Sequence, residues 1–496
     1  MIRDQTARRD PLLQPLLLSG VCAGLALVLL TLIGDQPIQA AALMVVVLIS
    51  VVTWRWPVAV TVVFVALIPV NRFLILLLFH FTHSDTLTKF AQLWKDWLLV
   101  LLLARVVHVA LFSKDSKTVK VLDVLVFAFI ALTLVYLVWD GGGSGVDVTT
   151  RIYGARLDAF FLIAYFVGRG LTLERKHVRR IALALIPGSV LVGLVALWQM
   201  IQPAGTNRLL DALDYQGFMR LQGTTGEAIA VRARFFQGGS IPRASSLMLG
   251  DLALAFFQIF VVALAAAIFF TARTNRARIW SGAFLLLMAA TEVMTVTRSA
   301  TIGVLVVIAV LAILAMAVFR LALFGLIGGL GCVIALLALG PQTAVLNQLL
   351  NPQEESLLAH ERVLSRSLIQ LQDNPLGSGL GTAGSVSQRF FTQSGITPEN
   401  WYLQLANEMG IVAALLFVLV IVAMVIACVR EYLGVLDFWL RVIVLTSIGA
   451  GIGFLVVGNF LHAWENLILS MVIWLFAGIA VRSQALERRW SAAETT

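Results

Sequence analysis

Apolar runs of about 20 residues alternate with short polar connections along nearly the whole chain, a spacing that matches the thickness of a bilayer core. The pattern predicts fourteen membrane-spanning helices. They are Leu12–Ile33, Pro37–Thr53, Pro57–Phe79, Phe90–Phe112, Val121–Trp139, Ala155–Leu171, Ile181–Ile201, Ser246–Thr271, Trp280–Thr297, Ala300–Phe319, Leu321–Leu339, Trp401–Val429, Phe438–Gly458 and Ala463–Val481. Two connections break the rhythm, Gln202–Arg243 and Gly340–Asn400, both long and too polar to span. The expected architecture is all-α and polytopic: residues 1–245 with the first long loop, central helices in 246–339, a partly helical loop at 340–400, and closing helices in 401–496.

Composition agrees with the pattern. The 496 residues are 60% hydrophobic and 13% charged, against about 25% charged in soluble proteins. Cys22, Cys332 and Cys428 all lie in apolar runs, which argues against a disulfide framework or a Cys-x-x-Cys metal site. The net charge of +9 reads as basic cytoplasmic loops and not as a nucleic-acid surface. Lys114, Lys117 and Lys120, Arg175 to Arg180, Arg273 to Arg278, Arg430 and Arg482 to Arg489 fall on alternate connections. The positive-inside rule then puts both termini in the cytoplasm and both long loops outside. The short, basic start MIRDQTARRD leads into a first helix read as retained, since no small-residue cleavage site follows it.

The long loop holds most of the candidate chemistry. Asn351-Pro352 followed by Glu354 and Glu355 predicts a helix start, and Asp373-Asn374-Pro375 its end. Leu357, Leu364, Leu368 and Leu371 make an apolar stripe. Arg362 and Arg366 stand one turn apart and suit either a pyrophosphate or a solvated face with ion pairs. Gly377, Gly379, Gly381 and Gly384 could bring backbone N–H groups to an anion, or form a plain flexible connection. Glu399 and Asn400 sit at the mouth of the twelfth helix, where Tyr402 is an interfacial anchor by default. Asn407 and Glu408 lie deeper, and a carboxylate there should face a wet cavity or an arginine.

Other polar residues fall at the same level. They are Arg298 with Glu292 about 9 Å below it, Arg232, Arg234 and Arg243 at the end of the first outer loop, and His462, Glu465 and Asn466 in the last outer turn. In that first loop, Leu209, Leu210, Leu213, Phe218 and Met219 form either an interfacial helix face or part of a disordered loop. The excess of Arg over Lys, 30 to 6, holds equally across the expected cytoplasmic loops taken together and carries no weight for phosphate binding.

Three stretches resemble the O-antigen ligase and polysaccharide polymerase superfamily. TRSATIG (Thr297–Gly303) is similar to its Ser-Arg-small turn. ERVLSRSLIQLQDNPLGSGLG (Glu361–Gly381) is similar to its outer-loop Arg, amphipathic helix and Pro-x-x-G-x-G. PENWYLQLANEMGIVAALLF (Pro398–Phe417) is similar to its His-Asn-x-Tyr-Leu helix entry, with Glu399 where the family has His. The resemblance implies a GT-C-like glycosyltransferase of the bacterial inner membrane with a periplasmic site and no metal or other cofactor. The donor would be an undecaprenyl-pyrophosphate-linked oligosaccharide and the acceptor a glycan or lipid A core, with a chain-length regulator protein as a further partner of a polymerase. Arg298 and Arg362 match family arginines that hold pyrophosphate; Asn400 and Tyr402 match the entry motif. Arg366, Arg243, Arg234 and His462 join the binding set by position. Glu399 is the first candidate for the base, with Glu292 and His360 behind it. Polymerase, ligase and, from another class, a lipid-linked-oligosaccharide flippase all remain open at this point.

Overall fold

Residues 37–112, 119–139, 145–223, 229, 231–236, 239–316, 325, 355–390 and 397–494 are described by a computed structural model. The expected first and eleventh helices, residues 340–354 of the long loop, Cys22, Cys332 and most of the Gly141–Gly145 turn lie outside them. In chain order the helices are α1 (Pro37–Arg55), α2 (Pro57–Leu67), α3 (Asn71–Thr82), α4 (Asp85–Gln92), α5 (Trp94–Phe112) and α6 (Val121–Val138). Next come α7 (Val148–Asp158), α8 (Ile163–Gly170), α9 (Arg175–Ile201), α10 (Pro203–Ala212) and α11 (Tyr215–Leu221). After a hairpin follow α12 (Asp251–Thr271), α13 (Asn275–Val293), α14 (Arg298–Leu314), α15 (Glu355–Asp373) and α16 (Gly384–Phe390). The chain closes with α17 (Trp401–Gly434), α18 (Phe438–Val457), α19 (Leu467–Ala480) and α20 (Ser483–Glu494).

Among the described residues six helices are long and apolar enough to cross a membrane, or seven if α19 and α20, bent by 53°, count as one span. The protein is therefore a multi-pass membrane protein. Helices α5 and α13 are long enough at 19 residues but carry three charges each: Lys95, Asp96 and Arg105, and Arg276, Arg278 and Glu292. Among the described residues the strands β1 (Ala233–Phe236) and β2 (Gly239–Pro242) are the exception to an all-helical chain; they pair antiparallel, with Arg234 opposite Ile241.

Small residues set the packing of the centre. Helices α12 and α18 are the most enclosed, with 78% of each span buried. Gly449 and Gly453 of α18 sit against Ala263, Ile259 and Val307 of α12 and α14, where a Cβ would lie 2.9 Å or less from its nearest neighbour. Without solvophobic drive between lipid-phase helices, close backbone approach of this kind supplies the dispersion contact.

The structure corrects three expectations here. The predicted span Ala155–Leu171 is not one helix: α7 ends at Asp158 and a tight turn, Phe160–Leu162, precedes α8. The apolar residues of the first outer loop do not make an interfacial face, because Leu210, Tyr215 and Phe218 of α10 and α11 pack on Ile75, Leu76 and Phe79 of α3. The leucine stripe of α15 is not one packed face: Leu364 and Leu368 are exposed, Leu371 packs against the core and Ser367 is fully buried.

Candidate functional site

At the end of the bundle opposite α20, a cleft of about 570 Å³ opens between α14, α15, α17 and the turn after α18. Its polar border is made by Arg243, Arg298, Glu361, Glu399, Asn400 and Asn459, and its apolar lining includes Leu252, Ile302, Leu364, Leu403, Phe460 and Leu461. Two helix N-termini meet there, α14 starting at Arg298 and α17 at Trp401. Their dipoles add partial positive charge to the two guanidinium groups. The cleft therefore combines cationic polarity, two carboxylates and a greasy wall.

Each border residue has a local reason for its place. Arg298 is the first residue of α14, reached through a turn in which Val296 takes a left-handed φ of 53°. Arg243 braces that turn: its guanidinium pairs with Asp251 at 2.8 Å and donates to the Thr295 carbonyl (2.9 Å) and the Thr297 hydroxyl (3.1 Å). The Ala244 N–H adds a bond to the Met294 carbonyl at 2.9 Å. Asn400 caps α17, its side-chain oxygen accepting from the Leu403 N–H at 2.9 Å, and its amide donates to the Asn459 carbonyl at 2.9 Å. A cap of this type contributes about 1 kcal/mol and fixes the start of α17 one residue after Asn400.

Four of the residues singled out from sequence thus border one cleft: Arg243, Arg298, Glu399 and Asn400. Others do not. Arg362 and Arg366 are exposed on α15, which turns Glu361 and Leu364 to the cleft instead. Tyr402 is not an interfacial anchor, because its hydroxyl donates inward to the Leu455 carbonyl at 3.0 Å. Glu292 is sealed in the bundle at 1% exposure; among the described residues neither carboxylate oxygen has a well-formed hydrogen bond, and the Thr295 hydroxyl beside it goes to the Glu292 backbone carbonyl. His462 lies beside Glu465, 4.0 Å away, outside the cleft lining. His360 is on α15 and Arg234 on β1; their side chains lie outside the described residues.

The glycine-rich stretch does bring backbone N–H groups to an anion, and the anion is the protein's own. Helix α17 is broken at Gly410, whose φ of 81° and ψ of 168° are not helical. The freed carbonyls of Asn407 and Glu408 accept from Ser378 (2.7 Å) and Gly379 (3.0 Å), while the Glu408 carboxylate accepts from Gly381 (2.9 Å) and Ala383 (3.1 Å). Glycine is required because the backbones touch: Gly377, Gly379, Gly381 and Gly384 all have positive φ, and a Cβ on Gly377 would lie 2.5 Å from the Glu408 carbonyl oxygen. Glu408 therefore meets neither an arginine nor open water, contrary to expectation.

Sequence reading missed Glu361 and Asn459 as members of the site. Glu361 adjoins Arg362 and was hidden by it; Asn459, in GNFLH, shared the polar signal of the last outer turn. No protein-family model matches this chain, and no curated protein matches it.

Proposed function

We propose that the chain is a GT-C-like glycosyltransferase that polymerises undecaprenyl-pyrophosphate-linked repeat units at the outer face of the bacterial inner membrane, with the full complement of fourteen spans and both termini cytoplasmic. The observation that carries this reading is the cleft, in which Arg298, a helix N-terminus and Glu399 border the same space above an apolar wall. A lipid-linked pyrophosphate has matching parts: an anion for the guanidinium and a hydrocarbon tail for the wall. The motifs around Arg298, Glu361 and Asn400 support the same class.

The reaction divides between the two signs of charge. An acceptor hydroxyl attacks the anomeric carbon; a C–O bond to the acceptor forms and the C–O bond to pyrophosphate breaks. The hydroxyl proton passes to the Glu399 carboxylate. The negative charge that grows on the leaving pyrophosphate falls to Arg298, held rigidly at the start of α14. Arg243 acts mainly through the turn it braces. Arg362 and Arg366, exposed on α15, reach the donor only if that helix rolls toward the cleft.

The deciding experiment is glycan gel analysis of a deletion strain. Single repeat units on the acceptor are expected. Loss of all attached glycan would make the protein a ligase, and lipid-linked units that never reach the periplasm would make it a flippase. A purified sample given lipid-linked donor should keep its rate in EDTA, since the sequence has no Asp-x-Asp pair to hold a metal. Activity that vanishes with chelator and returns with Mg²⁺ would overturn the metal-independent mechanism.

A further inference from the structure

Beneath the glycine-rich loop, Asp158 at the end of α7 faces the Glu408 carboxylate within hydrogen-bonding reach. Each is 1% exposed. Helix α7 comes this close because Gly154 lies directly against the loop, with room for no Cβ: one would sit 2.5 Å from the Gly381 nitrogen. Two carboxylates in contact in an apolar interior cannot both be ionised. Their surroundings differ. Both Glu408 oxygens accept backbone N–H groups, which support the charged form. Neither Asp158 oxygen meets a donor among the described residues. The third charged group facing both is Glu465, which accepts from the Ser385 N–H (3.1 Å) and the Gln404 amide (2.8 Å) and has His462 4.0 Å away.

We propose that Asp158 keeps its proton at neutral pH and donates it to an ionised Glu408, so that the two carboxyls latch the loop Gly377–Gly384 and α7 across the break in α17. The latch is independent of whether the cleft performs glycosyl transfer. It sets the position of α15, which runs directly into this loop and carries Glu361 to the cleft border. The proton is a structural bond between three segments distant in sequence.

The two amide substitutions separate the partners. Asp158→Asn replaces the O–H donor by an N–H donor and should melt like wild type in detergent, with the same hydrogen-exchange protection over Gly377–Gly384. Glu408→Gln must turn an N–H toward Gly381 or Ala383, donor against donor, and should melt several degrees lower and lose that protection. The infrared difference spectrum of wild type minus Asp158→Asn should contain the carbonyl band of a protonated carboxylic acid. If Glu408→Gln fails to accumulate, the spectrum and the Asp158→Asn melt still decide. An Asp158→Asn protein that loosens as much as Glu408→Gln, or a difference spectrum with a carboxylate band, would overturn the assignment. So would Na⁺ or K⁺ raising the wild-type melt but not that of Asp158→Asn, which would give the site to a cation.

Discussion

The two ends of the bundle use charge in different ways. At the α20 end, charged side chains close on one another. Arg169 pairs with Asp123 at 2.7 Å, Lys120 with Glu431 at 2.6 Å and Arg175 with Asp437 at 3.0 Å. The backbone of α20 and its neighbours fills the remaining valences: Glu431 also accepts from the Gln484 N–H, Glu487 accepts from those of Leu436 and Asp437, and the Trp490 indole donates to the Leu173 carbonyl. At the other end Arg298, Glu399 and Glu361 border a space large enough for part of a ligand. Pairs that satisfy one another hold helices in register; charges arranged around a cleft can meet something from outside. What distinguishes the two ends is that a cleft opens among the charges at one of them.

The sharpest way to break this contrast is to neutralise the proposed base at the cleft. Glu399→Gln keeps the shape and removes proton acceptance, and should lower kcat about 10²- to 10⁴-fold with little change in melting temperature. Turnover of lipid-linked donor by purified protein measures it, and a wild-type rate would take Glu399 out of the reaction. Arg298→Ala should lower the rate roughly 10²- to 10³-fold, the usual consequence of removing one preorganised partner of a developing anion. Arg298→Lys should recover little, because a point charge replaces a planar fork. Arg389, exposed and stacked over Tyr153, provides the control and should tolerate Ala in the same assay.

The opposite outcome is expected at the other end. Arg169→Ala leaves Asp123 without this cation, retaining among the described residues the Tyr165 hydroxyl at 2.5 Å and the Lys120 N–H at 2.8 Å. Breaking a largely buried pair costs about 3 kcal/mol. The mutant should melt lower in detergent, while the kcat of the folded fraction stays that of wild type. A drop in kcat at unchanged stability would show that the ends are coupled and that the division of roles is wrong.

Hydropathy carried the helical, multi-pass character of the fold because apolar length is a local property of sequence. The turn at Arg298 ahead of α14, the mouth of α17 at Asn400 and the end of α15 before Asn374-Pro375 were all legible for the same reason: each depends on neighbours within a turn. What stayed hidden depends on partners far along the chain. Nothing near Gly381 announces that its N–H will meet Glu408, and nothing near Asp158 announces that a helix stops there. The Arg362 pairing looked the stronger signal, yet helix α15 is rotated so that Glu361 faces the cleft. A one-residue difference in facing is set by packing against α17, which periodicity alone does not specify.

The smallest expected effect tests where the cleft stops. Tyr402 sits one residue inside α17 from the cleft border, and its motif would assign it to binding. Its hydroxyl instead ties α17 to the end of α18 through the Leu455 carbonyl, close against Gly458. That carbonyl also accepts from the Asn459 amide at 2.8 Å, so removing the phenol oxygen strands no acceptor. Tyr402→Phe should therefore cost no more than about 1 kcal/mol, the net contribution of one hydrogen bond. KM for lipid-linked donor and kcat should both remain those of wild type. A raised KM with unchanged melting temperature would mean that the phenol reaches ligand, and the border of the site would move one turn into the bundle.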